Sequence, residues 1–189
     1  MLVTQEGKTL NIDFEATARY YKEHSLCDCP ECRNFYVQAR EKFHKLTAFL
    51  AELGVDIQRP DEIGSIAMGD EVDYHFIAYT VNGRIIEHDG YEIDIRDGEA
   101  FLSVVIDNSY FPNDQKIEEY FTVTVYGVRL PWVMDEPFPE DAMGEVKPGL
   151  MDRILSKIFR KNNLRIFKKV LDNLRTMLYY KPVGCDRRT

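Results

Sequence analysis

Val72-Asp73-Tyr74-His75-Phe76-Ile77-Ala78-Tyr79-Thr80-Val81-Asn82-Gly83-Arg84-Ile85-Ile86-Glu87 is the stretch on which the fold turns. In an extended chain Val72, Tyr74, Phe76 and Ala78 fall on one face and Asp73, His75, Ile77 and Tyr79 on the other, so the residues read as a strand with both faces at least partly covered. Asn82-Gly83 is the strongest short hairpin signal in the chain, since both residues tolerate positive φ. The strand is therefore expected to end there, with Arg84 to Glu87 as its return partner.

The same character runs from Ile66 to Trp132. Tyr91 to Ile95, the Asp97-Gly98 turn and Phe101 to Asp107 read as a second hairpin, and Tyr120 to Leu130, with Val123, Val125 and Val128, as a long strand. About five strands joined by short turns favour an antiparallel sheet, because a parallel one needs helical crossovers. Upstream, Phe35, Ala39, Phe43, Leu46, Leu50 and Leu53 recur every three or four residues as one apolar helix face, with Tyr36 and Phe49 at its edges. Pro30 suits the first helical position, and Gly54 ends the helix as a left-handed cap. Leu2 to Ile12 fit a hairpin around Glu6-Gly7-Lys8, and Asp13 an N-cap for a helix from Phe14 to about His24. The expected class is α+β, an antiparallel sheet of about five strands covered by helices.

Beyond Trp132 the chain turns rich in Pro and Gly, through Pro137, Pro139, Gly144, Pro148 and Gly149, and then resumes two helical stripes. Met151, Ile154, Leu155, Ile158 and Phe159 form one; Phe167, Val170, Leu171, Leu174, Met177 and Leu178 form the other, with Asn162-Asn163 between them. The expected division is an α+β domain over 1–137, and a linker with a basic helical C-terminal extension over 138–189. From Met151 onward five Lys and six Arg face three Asp, a balance of +8, so the first 150 residues carry −16 of the total of −8. An acidic body repels nucleic acid and anionic lipid, while the extension has the charge to meet either or to lie on its own body.

Hydrophobic residues at 44% and charged residues at 30% are ordinary globular usage and exclude wholesale disorder. There is no signal-peptide pattern at Met1 and no transmembrane segment of about 18 apolar residues, so a soluble, cytoplasmic protein is expected. Cysteine usage agrees, for three of the four cysteines are bunched instead of spread as a secreted disulfide framework would be.

Those three lie in Cys27-Asp28-Cys29-Pro30-Glu31-Cys32-Arg33-Asn34-Phe35, where a helix begins. Three thiols in six residues can converge on one ion, and zinc is the expected metal, with Cys27, Cys29 and Cys32 as ligands. A tetrahedral site needs a fourth. His24, three residues upstream, is preferred; Cys185 is the alternative and His44 a weaker one. A thiol oxidoreductase using Cys29 and Cys32 competes, since amides at a helix start stabilise a thiolate, but the preceding segment reads as helix instead of the strand such sites expect, and Asp28 and Glu31 oppose ionisation. Reduced cysteines packed at a helix start are the plain alternative. His24, His44, His75 and His88 form no triad with a serine or cysteine, and no phosphate-binding glycine loop is present. Glu92, Asp94, Asp97 and Glu99 read as a solvated acidic edge that discourages aggregation, because Arg96 interrupts any series of oxygen ligands.

Two stretches resemble a family of small bacterial proteins with no assigned function. One is Cys27-x-Cys29-x-x-Cys32-x-Asn34-Phe35, followed by Leu53-Gly54-Val55-Asp56 and Arg59-Pro60; the other is Leu130-Pro131-Trp132. The likeness covers residues 15 to 137 and leaves the basic extension outside. It implies a shared fold and cysteine cluster and no activity. The functional expectation is a non-enzymatic binding or regulatory module with a structural metal site and an unidentified protein partner. Its alternatives are the thiol oxidoreductase and a nucleic-acid-binding protein acting through the basic C-terminal extension.

Overall fold

The computed structural model describes residues 1–5, 7–87, 90, 92–108 and 119–139. The C-terminal extension, Cys185 and His88 lie outside them. The order is β1 (Leu2–Gln5), β2 (Lys8–Ile12), α1 (Phe14–Glu23), α2 (Pro30–Lys42), α3 (His44–Glu52), β3 (Glu62–Met68), β4 (Glu71–Glu87), β5 (Ile93–Asp97), β6 (Ala100–Asp107), β7 (Tyr120–Tyr126) and β8 (Val128–Pro131). All strand pairs are antiparallel, in the order β1-β2-β4-β7-β6-β5, with β3 and β8 also paired to β4. The α+β class holds with eight strands where five were expected.

The largest correction lies in β4, which runs through Asn82-Gly83 for 17 residues without turning. Ladders on both flanks override the local turn signal: Ile12 pairs with Gly83 on one side and Tyr120 with Asn82 on the other. Gly83 is needed all the same. Its φ is +143°, and a Cβ there would collide with the Asn11 carbonyl oxygen of β2.

Along one edge of β4 the ladder passes from β3, whose last pair is Glu62 with Ala78, to β2, whose pairing starts at Gly83. Between them β4 turns the backbone groups of Thr80 and Asn82 to no strand, and α1 fills the gap. The Tyr21 hydroxyl donates to the Thr80 carbonyl and accepts from the Thr80 amide, each at 2.9 Å. Thr17 Oγ1 accepts from the Asn82 amide at 3.1 Å, and the Asp13 amide donates to the Asn82 carbonyl at 2.9 Å. Two side chains of α1 and the backbone amide of its N-cap residue thus replace a missing strand, as buried backbone groups require. Asp13 caps the helix as its sequence indicated, accepting from Ala16 N at 2.9 Å.

On the other edge β7 and β8 form one line along β4 in a single register, Ile77 with Val125 and Tyr74 with Val128. Both strands change face together within it. Core residues are Val72 and Tyr74, then Ile77, Tyr79 and Val81, opposite Leu130 and Val128, then Val125, Val123 and Phe121. Each strand takes one step of three instead of two, His75-Phe76 facing Tyr126-Gly127, with Gly127 at φ +83°. The long strand expected from Tyr120 to Leu130 is interrupted at that glycine.

The apolar stripe is buried as read: Phe35, Ala39, Phe43, Leu46, Leu50 and Leu53 join the sheet's core residues. It belongs to two helices, however. Phe43 leaves the helical region at φ −122°, ψ 77°. The amides of Lys45 and Leu46 then donate to Asp97 Oδ2 at 2.7 and 3.0 Å. Asp97, expected on a solvated acidic edge, is buried at the β5–β6 hairpin and caps α3 from a distance. Gly54 ends α3 at φ +79°, and Val55 N donates back to the Leu50 carbonyl at 2.9 Å, as in a glycine-terminated helix.

Candidate metal centre

The three clustered cysteines meet where α2 begins. Cys29 is the N-cap residue, extended at φ −70°, ψ 152°, followed by Pro30, which has no amide hydrogen to satisfy. Cys32 falls one turn on, so its side chain returns over the cap. The sulfurs of Cys27, Cys29 and Cys32 all lie within 4.8 Å of one another, and the Cys29 amide donates to Cys27 Sγ at 3.4 Å. Sulfurs on a tetrahedral zinc at about 2.3 Å stand about 3.8 Å apart. The donor set fits such an ion with small side-chain adjustment. Cys29 and Cys32 are free thiols and Cys27 is disulfide-bonded, so it is the reduced chain that offers three thiolates.

The two free thiols are electrostatically unlike. Cys32 hydrogen-bonds to Cys29, which holds the half-buried Cys29 below the ordinary thiol range against the opposing effects of burial and of Glu31. The same bond, with burial second, pushes Cys32 far above that range. The Cys29 side chain makes no regular cap hydrogen bond, but the Cys32 amide lies close enough to its sulfur to help lower the Cys29 pKa, so this helix end favours an anionic sulfur.

A buried carboxamide supports this turn. Asn34 is fully buried, and its Nδ2 donates to the Tyr74 hydroxyl at 3.0 Å and to the Pro131 carbonyl at 3.1 Å. Its Oδ1 accepts from Gln38 Nε2 at 3.1 Å and from Val133 N at 2.9 Å. Tyr74 in turn donates to the Glu31 carbonyl at 2.8 Å, between the two free cysteines. The Asn-Phe of the cysteine motif and Leu130-Pro131-Trp132, distant in sequence, thus touch in the fold. Arg33 pairs with Glu136 and approaches Asp28 at 3.6 Å.

His24, the preferred fourth ligand, is not gathered with the three sulfurs. Its ring stacks on Tyr20 at 5.4 Å, and Nε2 lies 3.7 Å from Asp61 Oδ1, which also receives the Tyr20 hydroxyl. His44 is exposed at the start of α3. His75 sits at the β4 step, and burial keeps its pKa below the usual histidine value. Glu92 accepts from the Ser103 hydroxyl. Sequence reading missed Asn34, Tyr74 and Glu136 as supports; the one signal was Asn34 itself, a polar residue on the α2 face that Phe35 and Ala39 bury.

The fold and the sulfur cluster define an α+β protein with a candidate thiolate metal centre. No protein-family model, curated protein or solved structure matches the chain. Among the described residues no helix is long and apolar enough to cross a membrane.

Proposed function

We propose that the chain is a binding or regulatory module whose cysteine cluster holds a structural metal ion, and that the ion is zinc. The observation that carries this reading is the convergence of three sulfurs within 4.8 Å at a helix start. Zinc suits an all-thiolate set, has no redox chemistry of its own, and would fasten the loop ahead of α2. The His24 ring, turned to Asp61 and Tyr20, supports Cys185, the one remaining cysteine of the chain, over His24 as the fourth ligand. The kinship with the functionally unassigned bacterial family belongs to this proposal too, and so does a cytoplasmic location, where thiols stay reduced.

Elemental analysis of protein purified in reductant and without chelator is the test. Close to one zinc per chain is expected, kept in His24→Ala and lost or strongly weakened in Cys185→Ser and Cys32→Ser. Metal-free protein whose stability is indifferent to chelator and added zinc would overturn the reading.

One observation favours a second reading, a thiol oxidoreductase. Cys29 is half-buried, and Cys32 is more deeply buried and hydrogen-bonds to it, the asymmetry of an attacking and a resolving thiol. Metal-free protein in which iodoacetamide labels Cys29 at least tenfold faster than Cys32, and which reduces a small disulfide with turnover, would move the assignment there.

A further inference from the structure

Residues 132–138 leave the sheet after β8 and run past the first turn of α2. Among the described residues, their hydrogen bonds and ion pairs to other elements end on that helix. Val133 N donates to Asn34 Oδ1 at 2.9 Å, and Glu136 pairs with Arg33. Just before them, the Pro131 carbonyl accepts from Asn34 at 3.1 Å and from Gln38 at 3.0 Å. The segment is also folded on itself: Trp132 Nε1 donates to the Glu136 carbonyl at 2.8 Å, and the Trp132 and Phe138 rings meet edge to face at 5.7 Å.

The helical turn that receives these contacts is the turn that carries Cys29 and Cys32. Residues 29, 31, 32, 33 and 34 alternate between two duties. Cys29 and Cys32 supply sulfur, whereas the Glu31 carbonyl holds Tyr74, the Arg33 guanidinium holds the Glu136 carboxylate, and the Asn34 carboxamide holds the backbone at Pro131 and Val133. This helix start has no regular side-chain cap, and its first amides have no partner within the helix. An ion bridging Cys29 to Cys32 would close that turn as a cap does, and would fix the groups between the two cysteines along with it.

We infer that residues 132–138 are a strap whose seating on α2 is coupled to metal occupancy of the cysteine cluster. This rests on the metal-centre reading. With the ion bound the strap is seated and Trp132 is sheltered against Phe138; with the ion removed the first turn of α2 loosens, the Arg33–Glu136 pair and the Val133–Asn34 bond open, and Trp132 meets water. Coupling of this kind is reciprocal, so whatever loosens the strap weakens metal binding by the same factor. The chain that leaves the strap continues into the basic C-terminal extension.

Trp132 is the single tryptophan, and zinc does not quench its fluorescence, so the protein carries its own reporter. The reduced full-length chain is compared zinc-loaded and after chelation, with zinc measured on the same samples. The expected result is red-shifted emission and at least twofold greater acrylamide quenching after chelation, with the β-sheet circular dichroism unchanged. Glu136→Gln, which touches no sulfur, is expected to show the chelated emission even when loaded. It should also bind zinc at least about fivefold more weakly in competition with a chromophoric chelator. Zinc bound stoichiometrically with emission identical before and after removal would overturn the strap and leave the metal centre standing. The strap also falls if Glu136→Gln alters emission while leaving zinc affinity unchanged. Protein that binds no zinc under reductant overturns both, and the zinc measurement tells that case from the others.

Discussion

Replacing Tyr21 with Phe removes one oxygen from a buried ring and tests whether α1 stands in for a strand. That oxygen serves both backbone groups of Thr80, at 2.9 Å each, at a place where β4 has no strand beside it. Thr80 is 2% exposed and its neighbours Tyr79, Val81 and Tyr21 are buried too, so water has little access to take over either bond. Leaving one buried polar group unpaired costs about 1–3 kcal/mol, and two groups set the expected loss at about 2–5 kcal/mol once some local relaxation is allowed. A domain of this size is stable by about 5–15 kcal/mol, so the variant should remain folded with a clearly lower midpoint. Urea unfolding followed by far-ultraviolet circular dichroism measures the difference, and an unchanged denaturant slope shows that the unfolded states are comparable. Burial raises the Tyr21 hydroxyl well above its ordinary pKa, so it stays protonated throughout the measurement. A loss below about 0.5 kcal/mol would refute the idea that the hydroxyl substitutes for a ladder partner.

Variants at two other positions test further parts of the fold. Asp97→Ala deprives the amides of Lys45 and Leu46 of their acceptor and is expected to cost about 1–2 kcal/mol in the same assay, with helix content falling more than sheet content; Asp97→Asn, which keeps an acceptor, should recover most of it. His75 has its pKa lowered by burial, so the unfolded chain binds its proton more readily than the folded one. Stability is therefore fully present above the ordinary histidine value of about 6.5 and falls as pH drops through the lower folded value; His75→Gln should flatten that part of the curve, and an identical acid limb in both proteins would count against it.

Much of this was legible in the sequence, and the failures share a cause. The stripe from Phe35 to Leu53, the Asp13 cap and the Gly54 stop came through because they rest on contacts within a few residues. Asn82-Gly83 misled because its turn preference is local and weak, while the ladders to β2 and β7 that hold it straight come from residues about 70 and 40 positions away. Asp97 looked like a surface carboxylate until α3 was seen to begin above it. In the candidate centre the three sulfurs were visible as a motif, since they are neighbours in the chain. The turning of His24 toward Asp61 was not, because Asp61 reaches it only through the arrangement of α1 beside β3.

The paired step of β4 and the β7–β8 line has a consequence for how this protein can change its length. His75-Phe76 and Tyr126-Gly127 are matched extra residues, and their cancellation is what lets one register govern both ends of the pairing. Losing a residue from one strand alone would turn Val128 and Leu130 toward solvent and draw the Pro131 carbonyl away from Asn34, although neither site lies near the cysteines in sequence. A compensating loss opposite it, on β4, would restore the count. Insertions and deletions here should therefore survive only in pairs, and a library of one-residue deletions across 74–77 and 125–128, made singly and in cross-strand pairs, would find folded protein among the pairs and none among the singles.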